Sequence, residues 1–509
     1  MRTRNPSSRL NVLVVGSGGR EHAIVWKLAR SPRIGRIVAA PGNPGIGRLA
    51  ACAPVGATDV AGLVRLARET ECSLVVVGPE APLAAGLADV MRDQGMAVFG
   101  PSAAAARIES SKHYAKGVMA RAGIPTARCE AFTDLGRARD VARATAQEAG
   151  GVVVKLDCLA AGKGVVVAGS PEEAGRAVDE LSAMGGRRGC RILVEERLVG
   201  PEASVMCLSD GADIWVLPPA RDHKRALDGD QGPNTGGMGA VAPASLAADA
   251  MEADSGVMMT DGPTRSALGA GLAVSEVRPT SAAELTDKAI LADIERTILK
   301  PAIEQMAAEG TPFVGALFAG LMLTSEGPRV LEFNCRLGDP ETQAVLPLVD
   351  VDLLDLVEAA CHGHLGRVGV GVGVGVDTGS AGSRRGPGVG VSSGSGRLGH
   401  QAPMVGFGAA SSGISCGLHS TCVVMASPGY PGPHKTGIPI GIPDPLPEGV
   451  VVFHAGTALD DGQLVSAGGR VLDVVGVASS AAQSRQLAYD AVEQIGFEGA
   501  HYRRDIGVI

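Results

Sequence analysis

Residues 331–342 read Leu331-Glu332-Phe333-Asn334-Cys335-Arg336-Leu337-Gly338-Asp339-Pro340-Glu341-Thr342, and a strongly apolar segment precedes them. Residues two apart on a β-strand point to the same face, so Glu332 and Asn334 are predicted to share one face. The apolar residues 313–323 and the turn residues 324–328 indicate that this strand closes a hairpin. Carboxylate and amide oxygens suit Mg²⁺ or Mn²⁺ shared with nucleotide phosphates. The hairpin is therefore a candidate metal site, although a lone Glu-x-Asn pair is more often a solvated strand end.

A second pair of predicted strands carries lysine and glycine. The buried strand at residues 151–157 contains Lys155, and Leu159-Ala160-Ala161-Gly162-Lys163-Gly164 joins it to the apolar strand at 165–168. Small residues between two strands let backbone N–H groups approach phosphates, and lysine supplies a point charge. The residues do not match a Walker A loop, and an ordinary hairpin is the alternative.

Two further segments have the composition of ligand-binding loops. Residues 192–204 read as a strand that runs into Glu195, Glu196 and a turn, which could present backbone groups to an adenine and a carboxylate to ribose hydroxyls. A plain acidic turn is the alternative. The cations of residues 221–225 precede the glycine-rich residues 232–239, and this pattern suits an anionic substrate, although a charge run is usually a solvated face.

Composition limits the class of protein. A chain of 509 residues is long enough for several domains with their own cores. A net charge of -8 and a pI of about 5.8 argue against a nucleic-acid binder. The 10 cysteines include no Cys-x-x-Cys pair, and the chain lacks a secretory hydrophobic segment, so reduced thiols are expected. No apolar run is long enough to span a bilayer, so no membrane partner is expected.

The N-terminal region alternates strands with helix-like segments. Residues 10–15 form an apolar run into Gly16, and residues 74–77 form another into Gly78. This alternation predicts a doubly wound parallel sheet with ligands at the carboxyl ends of its strands. A nicotinamide-binding Rossmann domain is the rival interpretation, but Glu21 replaces the third glycine of the Gly-x-Gly-x-x-Gly pattern.

Eight motifs follow one another along the chain: Gly16-Ser17-Gly18-Gly19-Arg20-Glu21-His22, Gly78-Pro79-Glu80-Ala81-Pro82-Leu83, Phe99-Gly100-Pro101-Ser102, Ser111-Lys112, residues 159–164, Asp222-His223-Lys224-Arg225, Gly232-Pro233-Asn234-Thr235-Gly236-Gly237-Met238-Gly239 and residues 332–342. In this order they resemble the phosphoribosylamine glycine ligase family, also called glycinamide ribonucleotide synthetase. These are ATP-grasp enzymes of purine biosynthesis. The resemblance extends from about residue 11 to residues 504–507, apart from two insertions.

The resemblance implies an α/β fold: an N-terminal doubly wound parallel-sheet domain, ATP-grasp central and lid domains, and a small C-terminal mixed α/β domain. The expected N-terminal, substrate-binding domain covers residues 10–108, the ATP-grasp domain 109–362 and the C-terminal domain 363–509. The lid is expected at about 132–195. Insertions are expected at about 245–279, as a surface loop, and at about 367–413, as a flexible Gly/Ser/Val-rich segment.

The activity implied is ATP-dependent ligation of glycine to 5-phosphoribosylamine through glycyl phosphate, giving glycinamide ribonucleotide, ADP and phosphate in de novo purine biosynthesis. ATP and Mg²⁺ or Mn²⁺ are the implied cofactors. The expected partners are these small molecules, with a monomer or weak association with other purine-pathway enzymes. A cytoplasmic location is expected, although the basic residues 1–9 leave a short organellar leader open. Another ATP-grasp ligase or carboxylase and a degenerate ATP-binding protein are the alternatives.

The resemblance also implies roles for individual residues. The implied metal ligands are Glu332 and Asn334. The implied nucleotide-binding residues are Lys112, Lys155, Gly162, Lys163, Gly164, Glu195, Glu196, Leu198 and Glu202. The implied substrate-binding residues are Gly18, Gly19, Arg20, Glu21, Pro233, Asn234, Thr235 and Gly236. The implied catalytic contacts to glycine and phosphoribosylamine come from Asp222, Lys224, Arg225 and Arg336.

Three details of this assignment can be checked against a structure. The helix after the glycine turn at residues 16–19 is expected to expose its N-terminus to the phosphate of phosphoribosylamine. Cys158 stands where the family usually has glycine, and we expect this side chain to impair lid flexibility modestly. His454 is either a ligand contact or a structural histidine at a strand end.

Overall fold

The computed structural model describes residues 9–159, 164–185, 191–247, 282–368 and 417–508, with the backbone alone at 282–286. Gly162 and Lys163 lie outside these residues. So do most of the two insertions predicted at about 245–279 and 367–413.

Five parallel strands form the N-terminal sheet, in the order β3-β2-β1-β4-β5. They are β1 (Leu10–Gly16), β2 (Ile34–Pro41), β3 (Ala51–Cys52), β4 (Leu74–Val77) and β5 (Ala97–Phe99). Strand β1 pairs with β2 on one side and with β4 on the other, which is the doubly wound arrangement that the sequence predicted. The order reverses at β1, so the carboxyl ends of β1 and β4 flank a crevice.

Helices connect these strands and lead out of the sheet. They are α1 (Gly19–Leu28), α2 (Val60–Glu69), α3 (Glu80–Ala84), α4 (Leu87–Asp93), α5 (Ala103–Ser110) and α6 (Lys112–Arg121). Side chains cap three of them: Asp59 accepts from the Gly62 amide, Ser102 from Ala105 and Ser111 from Tyr114. Ser111 follows the last residue of α5 and caps the start of α6, so the chain turns at this residue.

The region predicted to form the lid, and called the lid below, contains a four-stranded antiparallel sheet in the order β6-β9-β7-β8. Its strands and helices are β6 (Cys129–Phe132), α7 (Leu135–Ala149), β7 (Val152–Leu156), β8 (Val165–Ala168), α8 (Pro171–Met184) and β9 (Ile192–Glu196). Small buried residues of the two helices, such as Ala142 and Ala177, let them pack closely on Val154. The predicted strand pair around Lys155 is confirmed, since β7 and β8 are antiparallel neighbours.

A second four-stranded sheet, in the order β11-β10-β16-β17, carries the candidate metal site. Its strands are β10 (Glu202–Asp210), β11 (Ile214–Val216), β16 (Val314–Thr324) and β17 (Gly327–Asn334). The predicted hairpin is confirmed as the antiparallel pair β16–β17. Its helices are α9 (Ala282–Ile294), a π-helical turn (Glu295–Leu299) and α10 (Lys300–Ala308).

The third large sheet joins distant parts of the chain in the order β12-β15-β18-β23-β20. Its strands are β12 (Arg221–Asp222), β15 (Gly239–Ala242), β18 (His419–Ala426), β20 (Val450–His454) and β23 (Arg470–Ala478). Residues 221–242 thus pair directly with the C-terminal strands, because Gly239 faces Val423 across β15 and β18. The hairpin formed by β13 (Arg225–Leu227) and β14 (Gln231–Asn234) connects β12 to β15.

The remaining elements border this sheet. They are α11 (Glu341–Val345), α12 (Leu353–His362), β19 (Ile440–Gly441), β21 (Thr457–Asp460), β22 (Gln463–Ser466), α13 (Ala481–Gln494) and β24 (Gly496–Phe497). The two faces of the N-terminal sheet have different neighbours. Leu13 belongs to one buried cluster with Phe333 of the central sheet, whereas Val12 belongs to another with Phe453 of the C-terminal sheet. Successive side chains of β1 point to opposite faces of the sheet, so this strand packs against the sheet that carries β17 on one face and against the C-terminal sheet on the other. Among the described residues, the helices are too short or too polar to cross a membrane.

Candidate active site

The end of β17 presents Glu332 and Asn334 on one face, as predicted. Their neighbours on β16 are Gly320 and Phe318. Gly320 presents no side chain to Glu332, and Asn334 is 8% exposed. Two oxygen donors are thus held at the carboxyl end of a rigid strand.

Four cations surround Glu332. Burial alone would raise the pKa of the Glu332 carboxyl, but the field of these cations outweighs burial and holds that pKa below its ordinary value. The cations, in decreasing order of effect, are Lys224, Lys155, Lys112 and Arg336. All four were predicted site residues, and the fold brings them together from four separate segments. Glu332 is therefore an ionised oxygen donor in a strongly positive environment.

Lys155 is fixed by a buried ion-pair network. Its ammonium lies 2.9 Å from Glu195 and donates to the carbonyl of Leu331 at 2.9 Å. Glu195 also pairs with Lys116 of α6 at 3.2 Å. Lys155 and Glu195 are only 5% and 2% exposed. The predicted nucleotide-binding strands β7 and β9 thus share one carboxylate, and this carboxylate orients Lys155 toward the strand that carries Glu332.

Lys112 is placed at the junction of α6 and the lid. Its ammonium donates to the carbonyl of Cys158 at 3.2 Å. Asp157 accepts from the Ser111 hydroxyl at 3.0 Å and from the His113 amide at 3.1 Å. The N-terminus of α6 and the start of the loop at residues 159–164 are therefore tied together, with Gly164 at the beginning of the return strand.

The segment after β9 lies at the edge of the lid. Glu196 accepts from the backbone amide of Arg128 at 2.9 Å and from its guanidinium at 2.7 Å. Burial would raise the pKa of Glu196, but Arg128 and Arg329 hold it below its ordinary value. Leu198 is half-buried beyond it. Glu196 thus pairs with Arg128 and Arg329, whereas Glu202, six residues later, pairs with Lys224.

Lys224 links the glycine-rich segment to the metal strand. Its ammonium lies 2.5 Å from Glu202. Burial would lower the pKa of Lys224, but Glu202, Glu332 and Asp222 outweigh burial and raise it. Burial and then Glu341 raise the pKa of Asp222 well above its ordinary value. Lys224 therefore stays positively charged, and the neighbouring Asp222 carboxyl favours its own protonated form.

Arg336 lies between the metal strand and the N-terminal sheet. Its guanidinium lies 3.2 Å from Glu109 and 3.5 Å from Glu80, and it donates to the Asn334 side-chain oxygen at 3.4 Å. Burial would raise the pKa of Glu80, but Arg336 and Arg20 hold it below its ordinary value. Arg336 thus connects a predicted metal ligand to the carboxyl end of β4.

The turn after β1 holds an internal ion pair. Arg20 lies 2.6 Å from Glu21 and donates to the carbonyl of Leu337 at 3.1 Å. The other Glu21 oxygen accepts from the Gly18 amide at 2.6 Å. Residues 19–21 are buried, so the expectation of an exposed helix N-terminus is wrong. Glu21 caps its own helix because the capping-box spacing allows its side chain to fold back.

Two glycines make room for this carboxylate. A Cβ atom at Gly78, just after β4, would lie 2.0 Å from Glu21 Oε1. Gly16 has φ +127°, and a Cβ atom there would lie 2.5 Å from the Glu21 side chain. Glu21 therefore lies between the carboxyl ends of β1 and β4, against the backbone of both strand ends.

The glycine-rich loop at residues 233–237 meets the C-terminal sheet. Arg470 of β23 donates to the Gly236 carbonyl at 2.5 Å and lies 3.3 Å from Asp339. The Gly236 amide donates to the Tyr430 hydroxyl at 3.1 Å. Pro233 and Asn234 are exposed, and Thr235 is half-buried. Arg225 lies apart from the cations around Glu332, since it is exposed and donates to the Gly232 carbonyl of its own hairpin.

Sequence reasoning missed several residues of the site. Glu80, Asp339 and Glu341 stand inside motifs that were recognised, but no role was assigned to them. Asp473 stands alone in an apolar strand, and a lone carboxylate in such a strand is a signal of burial. Lys116, Glu109 and Arg470 give no such signal, because their roles depend on which strands meet in space.

His454 is a structural histidine. It is 3% exposed, its amide donates to His22 Nδ1 at 2.8 Å, and its Nδ1 lies 3.2 Å from the Thr457 hydroxyl. Asn43 donates to its carbonyl at 2.7 Å. The second alternative of the sequence analysis is therefore the better description of this residue.

Comparison with known proteins gives one consistent family. The sequence matches the N domain of phosphoribosylglycinamide synthetase at residues 10–109, the ATP-grasp (A) domain at 110–261 and 270–342, and the C domain at 420–509. The chain is 41% identical over 502 residues to a phosphoribosylamine–glycine ligase of Ralstonia nicotianae, covering 98% of this chain and 99% of that protein. It is 39% identical over 97% of its length to the chicken trifunctional purine biosynthetic protein adenosine-3, of which it covers 42%.

Solved structures agree in fold. A phosphoribosylamine–glycine ligase of Thermotoga maritima superposes with a TM-score of 0.69 at 28% identity, covering 98% of this chain and 100% of that one. The biotin carboxylase domain of Hydrogenobacter thermophilus 2-oxoglutarate carboxylase has a TM-score of 0.61 at 15% identity, over 97% of this chain and 91% of that one. The second likeness concerns the ATP-grasp fold alone.

Proposed function

The chain belongs to the phosphoribosylamine–glycine ligase family, and from this premise we propose how its own residues carry out the reaction. It is an ATP-grasp carbon–nitrogen ligase that joins glycine to 5-phosphoribosylamine in purine biosynthesis, with a glycyl phosphate intermediate. The observation that carries the residue-level proposal is the convergence of Lys224, Lys155, Lys112 and Arg336 on Glu332. Such a cluster matches the polyanionic phosphates of ATP.

The chemistry requires activation of a poor electrophile. A glycine carboxylate oxygen attacks the γ-phosphorus of ATP, the bond to ADP breaks, and glycyl phosphate forms. The amine of phosphoribosylamine then attacks the glycyl carbonyl carbon, the carbon–oxygen bond to phosphate breaks, phosphate leaves with the bond electrons, and the amine nitrogen releases one proton. No side-chain nucleophile is needed, so positioning and charge neutralisation supply the catalysis. In this proposal Lys112 and Lys155 neutralise the phosphates, while Lys224 and Arg336 neutralise the transferred group.

The donor set fits a divalent cation held together with phosphates. Glu332 and Asn334 offer an ionised carboxylate and an amide oxygen on one face. The described residues contain no cluster of three or more His, Cys, Asp or Glu side chains that could hold a metal alone. Phosphate oxygens would complete the coordination, as Mg²⁺ prefers. When bound, the ion supplies charge neutralisation at the phosphates, and we propose Mg²⁺ or Mn²⁺ in this role.

The lid completes the nucleotide site in this proposal. Glu195 keeps Lys155 in place, and Glu196, Leu198 and Glu202 border the adenosine. Leu159, at the start of the loop to Gly164, is 39% exposed and can cover the phosphates when the lid closes. Gly162 and Lys163 keep their proposed nucleotide-binding role from the resemblance. Closure would exclude water and protect the acyl phosphate from hydrolysis.

The acceptor side lies on the opposite wall. We assign phosphoribosylamine to the turn at residues 18–21 and the loop at residues 233–236, because both reach the segment that follows the metal strand. Arg20 of the turn donates to the Leu337 carbonyl, and Arg470, which pairs with Asp339, donates to the Gly236 carbonyl of the loop. Asp222 is well placed to contact an ammonium or amine group, since its Oδ1 is buried and accepts no hydrogen bond within the described chain. The buried Gly19–Glu21 turn makes a backbone-and-Arg20 contact a better proposal than an open helix terminus.

Domain limits, assembly and location are also proposals. We divide the chain at residues 10–108, 109–362 and 363–509, with the pairing of β15 and β18 joining the last two. Fusion of this region in the chicken trifunctional relative supports weak association with other purine-pathway enzymes. Size-exclusion chromatography with light scattering would test the proposed monomer, and microscopy of a tagged chain would test the cytoplasmic location.

The test of the reaction is phosphate release with ATP, Mg²⁺, glycine and freshly generated phosphoribosylamine, omitting each substrate in turn. Release should need all of them, and Mn²⁺ should be compared with Mg²⁺. Glu332→Ala should abolish release. The matched control is Glu326→Ala, because Glu326 is exposed on the turn of the same hairpin.

Two outcomes would contradict the proposal. Release that does not depend on glycine would point to another acceptor, such as bicarbonate. Equal activity of Glu332→Ala and Glu326→Ala would show that the metal is held elsewhere. Product identity, determined by mass spectrometry of glycinamide ribonucleotide, separates the first outcome from background ATP hydrolysis.

A further inference from the structure

The hairpin β13–β14 precedes the substrate loop and has little support of its own. It forms a separate two-stranded sheet with only two paired positions, Arg225 with Asn234 and Leu227 with Gln231. Its turn, residues 228–230, is exposed. An isolated two-stranded hairpin is at best marginally stable in water. Other parts of the chain must therefore hold it in place.

Arg503, near the C-terminus, provides the central contact. It is 2% exposed, although arginine is rarely buried without partners. Its Nη1 atom donates to Asp230 Oδ1 at 2.6 Å and to the Arg225 carbonyl at 3.2 Å. Its Nε and Nη2 atoms donate to Asp505 at 2.7 and 2.6 Å. One guanidinium thus connects the start of β13, the last residue of the turn and the C-terminal segment.

Neighbouring residues extend this contact. Asp505 also accepts from the Gly229 amide at 2.7 Å, and the Arg504 amide donates to Asp228 at 2.7 Å. The ring of His501 lies 2.6 Å from the Ala226 carbonyl. Residues 501–505 therefore contact the hairpin from Arg225 to Asp230, and we call them the C-terminal clasp.

The clasp is directly linked to the loop proposed to bind substrate. Lys224 precedes Arg225, and its carbonyl accepts from both the amide and the hydroxyl of Thr235, at 2.8 and 2.9 Å. The Gly237 amide donates to the same hydroxyl at 2.9 Å. Displacement of Arg225 would therefore move Lys224 and Thr235 together, on opposite sides of the hairpin.

We propose that Arg503 is a positioning residue: through Asp230, Asp505 and the Arg225 carbonyl it holds the hairpin so that Lys224 and the loop at residues 233–236 meet the acceptor substrate. This inference rests on the proposed substrate role of that loop. Arg503 itself contacts no reacting atom. The buried pair with Asp505 orients the guanidinium, so its planar fork serves two carboxylates and one carbonyl at once.

Kinetics of Arg503→Ala against Arg504→Ala test the proposal. Arg504 is the matched control, because its side chain is exposed and only its backbone amide takes part in the clasp. Arg503→Ala should raise the KM for phosphoribosylamine by about tenfold or more, as expected when a binding loop is displaced. The KM for ATP should rise less than the KM for phosphoribosylamine, since Lys112 and Lys155 are held by other contacts and, of the four cations around Glu332, Lys224 alone adjoins the hairpin. Arg503→Lys should raise the KM for phosphoribosylamine less than Arg503→Ala does, because lysine keeps the charge but not the planar fork.

A second readout keeps the test independent of folding and of the substrate assignment. Amide hydrogen exchange of residues 225–236 should rise in Arg503→Ala, while exchange in the lid strands stays unchanged. Equal KM values and equal exchange in the two variants would overturn the proposal, and so would a parallel loss of ATP binding. If exchange rises but neither Arg503→Ala nor Thr235→Ala changes the KM for phosphoribosylamine, the clasp holds the hairpin but the substrate role of the loop is wrong.

Discussion

The carboxylate of Asp473 lies against the backbone of Gly19, so closely that a Cβ atom at position 19 would come within 1.8 Å of Asp473 Oδ2. Gln343, whose amide donates to Asp473 at 3.0 Å, would lie 2.7 Å from the same Cβ atom. Both side chains are buried, with Asp473 at 1% and Gln343 at 0% exposure. The first helix of the N-terminal sheet and a strand of the C-terminal sheet therefore meet at a position that only glycine fits.

Gly19→Ala should accordingly destabilise the protein and lower activity. Overpacking of a buried contact costs about 1–3 kcal/mol, and here the neighbours are a fixed strand and helix. Thermal unfolding and phosphate release would measure both effects. Gly47→Ala is the control, because its Cβ atom would meet only Cys52 at 3.8 Å. If Gly19→Ala behaves like Gly47→Ala, the two regions do not meet as described.

The charge of Asp473 should produce a pH-dependent stability. Burial and the neighbouring Asp339 raise the pKa of Asp473 from 3.8 to about 7, although Arg470 and the Gln343 amide oppose them. The folded state thus binds the proton more tightly than the unfolded chain. Its contribution to stability is present below pH 3.8 and is lost as pH rises toward about 7.

Asp473→Asn removes this titration while keeping an acceptor for Gln343. The free energy of unfolding of the unaltered protein, minus that of the variant, should fall between about pH 4 and pH 7, by at most about 1.4 kcal/mol per pH unit. Above that range the difference should be constant. Denaturant unfolding at a series of pH values measures it, and a difference that rises with pH would contradict the raised pKa.

Two buried histidines should have the opposite effect. Burial, then His454 and Arg48, lower the pKa of His22 from 6.5 to about 3, and burial lowers that of His454 to about 4. The unfolded chain therefore binds more protons, and stability falls as pH drops from 6.5 toward these values. His22→Asn keeps an acceptor for the His454 amide without a titrating group. Between pH 6.5 and pH 4 the free energy of unfolding of His22→Asn should fall less than that of the unaltered protein. His113→Asn, at an exposed site, should lose as much as the unaltered protein.

The ion pair of Glu195 with Lys155 can be tested by removing one charge. Glu195→Gln leaves the buried Lys155 and the half-buried Lys116 without their carboxylate, and breaking a buried pair costs about 3–5 kcal/mol. The KM for ATP should rise as well, because Lys155 loses its orienting partner. Glu130→Gln is the control, since Glu130 is exposed on the adjacent strand β6. Thermal unfolding shifts of equal size in the two variants would show that the pair contributes little.

Local patterns were sufficient for the hairpin β16–β17 and the strand pair β7–β8. Their apolar runs and turn residues are close in sequence, so period and turn chemistry determine them. The oxygen pair on β17 followed from the two-residue repeat of a strand. The parallel N-terminal sheet followed from alternating strands and helices.

Pairings over long distances could not be predicted in this way. Glu195 reaches Lys155 because β7 and β9 are neighbours in one register, in which Lys155 faces Leu193. Gly239 faces Val423 across β15 and β18, and nothing near either residue indicates this. The helix terminus at Gly19 is buried for the same reason, since its cover comes from Asp473. The recognised motifs supplied the residue types of the site, whereas tertiary packing decides their partners.

The remaining prediction concerns Cys158, which stands where related sequences are expected to have glycine. The described non-glycine residues with positive φ are Glu71, Asp230 and Asp461, so Cys158 adopts its place without left-handed backbone. Its side chain packs on the lid core, and its carbonyl accepts from Lys112.

Cys158→Gly would keep that carbonyl but lose the packing and add backbone freedom, so it should cost about 1 kcal/mol of stability. We expect less than about a threefold change in turnover and in the KM for ATP, which corresponds to less than about 1 kcal/mol, because cysteine is a small side chain.

Cys158→Ala is the matched control, since it removes the thiol without adding the backbone freedom of glycine. No change at all in either kinetic constant for Cys158→Gly would show that the side chain does not restrain the lid, whereas a large gain in turnover would show that it restrains the lid far more than this packing indicates.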